Sequence, residues 1–272
     1  MMTKAERSAH PFYRTGTGAP LVLLHGGTSS WHCWESVVPL LSGHHDVFAP
    51  NLPGHGGRPD LPRPYTISAL TDSLEKSMDD AGFETAHIAG NSLGGWLAME
   101  LARRGRARSV VALSPAGAWR TDETRVPAIF HAMRRQMRLG YPVVPLVMRV
   151  PALRRAALRT VCAHGDRVTA QQAIRSSRYA LRCTVIEDLP QVIATHYEPY
   201  GPLDLPVLIA WSGQDRIIPA DRYAEGWRRW APSATWRTLP DVGHVPMYDD
   251  PALVANTILE WTTRAADISK AN

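Results

Sequence analysis

The most constraining feature of this chain is a serine between two glycines, placed where an apolar run meets a helical pattern. The residues are Gly90-Asn91-Ser92-Leu93-Gly94; the run 86–89 precedes them, and Leu97, Leu101 and Ala102 follow on one helix face. A serine between a strand and a helix adopts a strained backbone turn, which needs neighbours without bulk. The spacing therefore predicts a nucleophile elbow that exposes the Ser92 hydroxyl above the strand end.

The partners that a nucleophilic serine needs are expected downstream. A serine hydroxyl requires a base, and that base requires a third group to fix its tautomer. The apolar run Pro206–Trp211 leads into a loop with Asp215, and the strand-like Thr235–Leu239 leads into a loop with His244. We therefore predict a catalytic triad of Ser92, Asp215 and His244. Asp241 is the alternative acid, although it precedes His244 within the same loop and would rarely reach Nδ1.

Four segments in this order resemble the α/β-hydrolase family over nearly the whole chain. They are the serine elbow, the two loops with Asp215 and His244, the strand ending in His25-Gly26-Gly27, and the loop Asn51-Leu52-Pro53-Gly54-His55-Gly56. The resemblance implies an α/β fold with a mostly parallel central sheet flanked by helices. It also implies a helical cap inserted after the strand near 109–114, with the core at 1–118 and 201–272 and the cap at 119–200.

The cap interpretation rests on a change of pattern after that strand. Between 119 and 200 the chain does not alternate strand with helix but has helical stretches punctuated by proline. We predict helices over Pro127–Leu139, Pro151–Cys162, Thr169–Leu181 and Thr184–Ala194.

The resemblance also assigns roles near the serine. It implies that the backbone N–H groups of Gly27 and Leu93 form an oxyanion hole. Asn51 departs from the family pattern, which usually has aspartate there; we expect the asparagine to be tolerated because it also bonds to turn backbone. We expect His25 to organise its loop by hydrogen bonding.

Five residues are predicted to line a substrate pocket: Trp31, Trp119, Leu146, Met148 and Val245. For Leu146 and Met148 the alternative is packing of the cap onto the core. For the two tryptophans the alternative is ordinary core packing.

The predicted triad indicates acyl-transfer chemistry on a small molecule. Haloalkane dehalogenases and epoxide hydrolases of similar sequence have aspartate at the elbow, whereas this chain has Ser92. We expect a hydrolase of small or medium carboxylic esters. The alternatives are carbon–carbon bond hydrolysis of a meta-cleavage product (a vinylogous diketone) and a ligand-binding protein without turnover. Val245 replaces the tryptophan that meta-cleavage-product hydrolases tend to have after the catalytic histidine, which favours the esterase.

The composition limits the classes of protein and of partner that this chain can represent. A chain of 272 residues with 44% hydrophobic content is enough for one sizeable core with an insertion. The formal charge of +5 comes from arginines spread over predicted helix faces, without the basic groove or fold that nucleic-acid binding requires. We therefore expect no nucleic-acid partner.

No cofactor is implied, because the triad supplies nucleophile, base and orienting acid. The 11 histidines lack metal-ligand spacing, so no metal site is proposed. The 3 cysteines form no disulfide pattern, and the polar N-terminus and lack of a long apolar run predict neither signal peptide nor membrane span. A cytoplasmic location is expected, and both monomer and homodimer remain open.

Overall fold

A computed structural model describes residues 11–120, 122–195 and 197–271 of the chain. The polar N-terminal segment and His196, a histidine at the edge of the predicted cap, lie outside the described residues. Within these residues the sheet has strands β1 Phe12–Thr15, β2 Ala19–Leu24, β3 His45–Pro50, β4 Ala86–Asn91, β5 Ala107–Leu113, β6 Val207–Ser212 and β7 Thr235–Leu239.

The sheet is mostly parallel, as expected. Its spatial order is β1-β3-β2-β4-β5-β6-β7, and only β1 pairs antiparallel, with β3. Strand β4 lies at the centre and is buried along its whole length. Because parallel neighbours end at the same edge, the loops after β2, β4, β6 and β7 meet at one edge of the sheet.

Helices cover both faces of the sheet and give it two apolar cores. The core-flanking α-helices are α1 Val38–Leu41, α2 Ile67–Asp80, α3 Leu93–Arg103, α9 Ala220–Trp230, α10 Pro246–Asp249 and α11 Pro251–Ala271. Side chains of β2, β4 and β5 alternate between the two cores: Val22 and Leu24 pack on the face of α2 and α3, whereas Leu21 and Leu23 pack on the face of α11.

A helical insertion lies between β5 and β6. Its α-helices are α4 Arg125–Gly140, α5 Val144–Val147, α6 Pro151–Leu158, α7 Ala170–Arg182 and α8 Leu189–Ala194, with short 3₁₀ turns at Tyr141–Val143 and Val185–Glu187. Thr169 caps α7 through a reciprocal capping box with Gln172.

Two of the predicted helices in this insertion have wrong boundaries. The helix predicted over 151–162 ends at Leu158, after which the chain turns. The one predicted over 184–194 is broken, because Pro190 lacks an N–H and is tolerated only in the first turn of a new helix that begins at Leu189.

Candidate active site

Ser92 lies in the turn between β4 and α3 with a backbone conformation that a serine rarely adopts. Its φ is 55° and its ψ is −116°. The turn is held from both sides, because the Ser92 N–H donates to the Leu113 carbonyl at 2.9 Å and the Ser92 carbonyl accepts from the Ala116 N–H at 3.0 Å. Local strain of this kind persists only where the surroundings enforce it, and it is frequent at functional sites.

The two flanking glycines are required by close backbone approach. A Cβ added at Gly90 would lie 2.1 Å from the Gly94 carbonyl oxygen, and one added at Gly94 would lie 2.3 Å from the Leu24 carbonyl oxygen. Those contacts are with backbone, so a side chain at either position would force the strand and helix apart. The elbow thus needs Gly-x-Ser-x-Gly for packing as well as for the turn.

His244 and Asp215 form a buried hydrogen-bonded pair. The distance from His244 Nδ1 to Asp215 Oδ2 is 2.7 Å, and both side chains are almost fully buried. Asp215 Oδ1 accepts from the backbone N–H groups of Ile217 and Ile218, each at 2.9 Å. Since an ionised carboxylate only accepts, His244 carries its proton on Nδ1 and presents the lone pair of Nε2.

Asp241, the alternative acid, lies elsewhere. Its side chain is exposed, and its nearest polar partner is Gln214, whose Nε2 lies 3.4 Å from Asp241 Oδ1. The geometry therefore pairs His244 with Asp215 and leaves Asp241 in solvent.

Two residues that sequence reasoning did not assign to the site hold the loop that carries His244. Asn91 Nδ2 donates to the His244 carbonyl at 2.9 Å. The buried carboxylate of Asp249 accepts from the Gly243 N–H at 2.7 Å and from the N–H groups of Ala163 and His164 at 2.9 and 2.7 Å. Asn91 lies inside the elbow motif, a position that hinted at importance; Asp249 gave no such signal.

The loop after β2 is fixed by His25 and Asn51. His25 Nε2 accepts from the Leu52 N–H at 3.0 Å, so its Nδ1 carries the proton and donates to the Gly26 carbonyl at 2.8 Å. Burial, together with the nearby His55, lowers the pKa of His25 well below its usual value, so the ring stays neutral. Asn51 accepts from the Trp31 N–H at 2.8 Å and donates to the Gly56 carbonyl at 3.2 Å. An aspartate could not make the second bond.

Gly27 and Leu93, predicted to form the oxyanion hole, lie beside Ser92. Gly27 borders both cavities at the serine, and Leu93 is the first residue of α3. The backbone N–H of a first helical residue has no partner within its helix and is available to a ligand. The site thus has N–H groups near the serine from two separate loops.

Two cavities meet at Ser92. The larger, of about 350 Å³, is bordered by His244, Val245 and residues of the helical insertion, including Met133, Met137 and Met148. The smaller, of about 60 Å³, is almost entirely apolar and is bordered by Leu93, Trp96, Trp119, Phe130, Val185, Leu189 and Val192. Ser92, Gly27 and Thr28 border both cavities.

Three of the five predicted pocket residues border these cavities, and two do not. Trp119 borders the smaller cavity, and Met148 and Val245 border the larger one. The predicted pocket position of Trp31 is wrong: its indole stacks against the rings of Tyr13 and His32, in the core below α11.

Leu146 is also misplaced by the sequence prediction, with 62% of its surface exposed. Val144, the first residue of α5, and Met148, which follows its last residue, are one helical turn apart and are buried in the same cluster, so the residue midway between them points outwards.

The described part of the chain has neither a cluster of metal-ligating side chains nor a membrane-spanning helix. Among its His, Cys, Asp and Glu residues, no group of three or more is arranged to hold a metal ion. Its helices include none that is both long and apolar enough to cross a membrane.

Comparisons with known proteins agree with this architecture. The family model described as the alpha/beta hydrolase family matches residues 21–257. Epoxide hydrolase EphH of Mycobacterium tuberculosis is 31% identical over 204 residues, which cover 71% of this chain and 94% of EphH. The chain therefore belongs to the α/β-hydrolase family.

Solved structures share the fold at lower identity. A thermophilic esterase from Thermogutta terrifontis superposes with a TM-score of 0.71 at 21% identity, covering 93% of both chains. The meta-cleavage product hydrolase CumD from Pseudomonas fluorescens IP01 gives a TM-score of 0.70 at 21% identity, covering 93% of this chain and 94% of that one. Likenesses at this identity establish the fold and leave the reaction to be argued from the site.

Proposed function

We propose that the protein is a serine hydrolase of small or medium carboxylic esters that works through an acyl-enzyme. The observation that carries the proposal is the 2.7 Å bond between His244 Nδ1 and Asp215 Oδ2, in a loop that borders the same cavity as Ser92. With Nδ1 protonated, the lone pair of His244 Nε2 is the base that the Ser92 hydroxyl needs.

The proposed reaction has two halves. His244 removes the Ser92 proton as Oγ attacks the ester carbonyl carbon, and the N–H groups of Gly27 and Leu93 bind the oxyanion that forms. The imidazolium then protonates the leaving alcohol. A water molecule deprotonated by His244 attacks the acyl-enzyme, releases the carboxylic acid and restores Ser92. Removal of one oxyanion donor in such a site costs about 3 kcal/mol of transition-state stabilisation.

The two cavities suggest which part of the ester lies where. The leaving alcohol must lie beside His244, which borders only the larger cavity. The acyl group then occupies the smaller cavity, on the Leu93 side. One water-sized site needs about 10–15 Å³ of such volume, so the smaller cavity holds only a few heavy atoms. We infer a short apolar acyl group and a bulkier, largely apolar alcohol.

The nucleophile argues against the reaction named for EphH. Opening an epoxide through a covalent intermediate requires a carboxylate nucleophile that forms an alkyl ester, which is later hydrolysed at its carbonyl. Ser92 would instead form an ether, which the site has no means to cleave. The similarity to EphH therefore supports the family membership but not the same substrate.

The test is a panel of p-nitrophenyl esters from acetyl to long acyl chains, with Ser92→Ala beside the wild type. We expect turnover of short acyl esters, loss of turnover in Ser92→Ala, and covalent labelling of the wild type alone by a fluorophosphonate. Ser42→Ala, at a half-buried serine on a distant loop, is the matched control and should behave as wild type. Turnover retained by a folded Ser92→Ala protein would refute the proposal.

One observation favours carbon–carbon bond hydrolysis as a second candidate. Arg134 borders the larger cavity, and its buried Nε has no hydrogen-bond partner among the described residues, although Nη1 binds Glu187 at 3.2 Å. That N–H could meet the carboxylate of a dienoate ring-cleavage product. The test is disappearance of a coloured dienoate. This reaction would be selected if the wild type consumed the dienoate, Arg134→Gln did not, and the wild type hydrolysed none of the esters.

A further inference from the structure

A second nucleophile lies against the smaller cavity beside Ser92. The chain has 3 cysteines, all unpaired and buried. Cys33 packs in the core below α11, and Cys162 packs within the helical insertion. Cys183, at the C-terminal end of α7, instead borders the smaller cavity together with His55, Thr28 and Ser92.

His55 borders the same cavity as this thiol and has one ring nitrogen without a conventional hydrogen-bond partner among the described residues. Its Nδ1 lies 2.9 Å from the Pro53 carbonyl oxygen, which can only accept, so Nδ1 carries the proton. The opposite nitrogen, Nε2, is buried and has no conventional hydrogen-bond partner among the described residues. Among the polar neighbours that act on the ring, the Cys183 thiol has the largest effect on the pKa of His55, which it raises. Only 1% of either residue is exposed to bulk solvent.

The surroundings favour ionisation of the thiol. Burial raises the pKa of Cys183 and is the largest single effect, but the charge and hydrogen bond of His55, with backbone bonds from Thr28 and Ile186, outweigh it and lower the pKa overall. At the other two cysteines burial prevails: it raises the pKa of Cys33 to about 12 despite a hydrogen bond with Ser29, and it raises that of Cys162 well above its usual value. The three buried thiols therefore differ in reactivity as well as in access.

We propose that Cys183 and His55 form a thiol–imidazole modification site that reacts with small, uncharged, apolar electrophiles entering through the cavity at Ser92. The pair joins the loop after β3 to the helical insertion, and Thr28, the neighbour of Gly27, borders the same cavity as the thiol. A group attached to Cys183 would occupy the smaller cavity and disturb the loop that holds Gly27.

Methyl methanethiosulfonate is a small apolar probe for this reaction. His55 Nε2 takes the Cys183 proton, and Sγ attacks the sulfenyl sulfur of the reagent. A disulfide bond forms between Sγ and the methylthio group, while the bond to the sulfonyl sulfur breaks and methanesulfinate leaves with its electron pair. A later thiol reductant reverses the modification by disulfide exchange.

The experiment is peptide mapping of the native protein after brief exposure to this reagent. We expect one methylthio group, on Cys183, with Cys33 and Cys162 unmodified. The bulky anionic analogue sulfonatoethyl methanethiosulfonate should leave the native protein unlabelled, because the cavity is narrow and apolar. Labelling spread over the three cysteines, or absent from Cys183, would overturn the proposal.

The role of His55 is tested by the rate of labelling. His55→Gln should slow labelling of Cys183 by about tenfold or more, because the base that removes the thiol proton is gone. An unchanged rate in a folded variant would show that Cys183 is merely accessible and would refute the pairing. His131→Gln, at an exposed histidine on α4, is the matched control.

The effect on turnover rests on the proposed function, whereas the labelling does not. Ser92→Ala should be labelled on Cys183 at the wild-type rate, which keeps the two proposals separable. In the wild type, labelling should lower kcat/KM for a short acyl ester by about tenfold or more, and dithiothreitol should restore it. Full activity after complete labelling would refute the statement that this group fills the acyl side of the site.

Discussion

Replacement of Asp215 by asparagine tests the proposed mechanism at the point where the structure is most specific. The two oxygens of Asp215 have different partners: Oδ1 accepts from two backbone N–H groups, and Oδ2 accepts from His244 Nδ1. Asparagine has only one acceptor oxygen, so its orientation decides the tautomer of His244.

The backbone determines that orientation. If the amide NH₂ faced the N–H groups of Ile217 and Ile218, three donors would meet in a buried site, at a cost of about 1–3 kcal/mol for each unsatisfied group. The amide oxygen therefore stays with the backbone, and the NH₂ group faces His244. His244 must then accept at Nδ1 and carry its proton on Nε2, where it cannot take the proton of Ser92.

A wrong histidine tautomer in a serine protease triad lowers kcat by about 10⁴, which corresponds to about 5.4 kcal/mol of transition-state stabilisation. We expect a loss of this order for Asp215→Asn on a short p-nitrophenyl ester, with a stability close to that of the wild type because the backbone bonds to Oδ1 are kept.

The matched control is Asp241→Asn, which changes an exposed aspartate in the His244 loop in the same way. It should retain wild-type kcat. If Asp215→Asn kept activity within about tenfold of the wild type, or if Asp241→Asn were the inactive variant, the assignment of the acid and the tautomer argument would both fail.

Three further predictions follow from packing, protonation and cavity shape. Gly94→Ala should lower the free energy of unfolding by about 3 kcal/mol or more in denaturant titrations, because its Cβ would overlap the Leu24 carbonyl; Gly43→Ala, where nothing lies within 4 Å, should not. Burial lowers the pKa of His87 from 6.5 to about 4. The unfolded chain therefore binds a proton at this residue that the folded chain does not. As the pH drops below about 6.5, this residue lowers the free energy of unfolding by about 1.4 kcal/mol per pH unit. His87→Asn should make the fall of the unfolding free energy with pH shallower between about pH 7 and pH 5. Trp119→Ala should move the acyl-chain optimum to longer chains, with about tenfold gains for the longer esters, whereas Met137→Ala in the larger cavity should alter the alcohol preference instead.

The parts of the site that could be predicted from sequence are those dictated by local sterics and strand ends. The strand Thr235–Leu239 has the bounds predicted for it, and the loops carrying Asp215 and His244 directly follow the buried strand β6 and the largely exposed edge strand β7. Because parallel strands end at one edge, their following loops must lie near the serine. The assignment of Ser92, Asp215 and His244 to catalysis remains a prediction for the variants above.

The parts that could not be predicted depend on which way a side chain faces. Trp31 is close in sequence to Gly27, but the 3₁₀ turn at Trp31–Trp34 directs its indole to the opposite core. Leu146 belongs to an apolar run whose helix is only four residues long and bracketed by turns, so hydrophobicity alone did not give its face. Asp249 gave no pattern because its partners are backbone N–H groups, which any sequence supplies.

Asp249 also explains how the helical insertion is coupled to the site. One of its carboxylate oxygens accepts from the Gly243 N–H, next to His244, and from the Ala163 N–H in the insertion; the other accepts from the His164 N–H. The Val245 N–H adds a backbone bond to the Val161 carbonyl at 3.0 Å. A displacement of the insertion would therefore break several buried bonds at the histidine loop, each worth about 1 kcal/mol. Three hydrogen bonds, from Ala163, His164 and Val245, therefore couple the insertion that borders the larger cavity to the loop that positions the base.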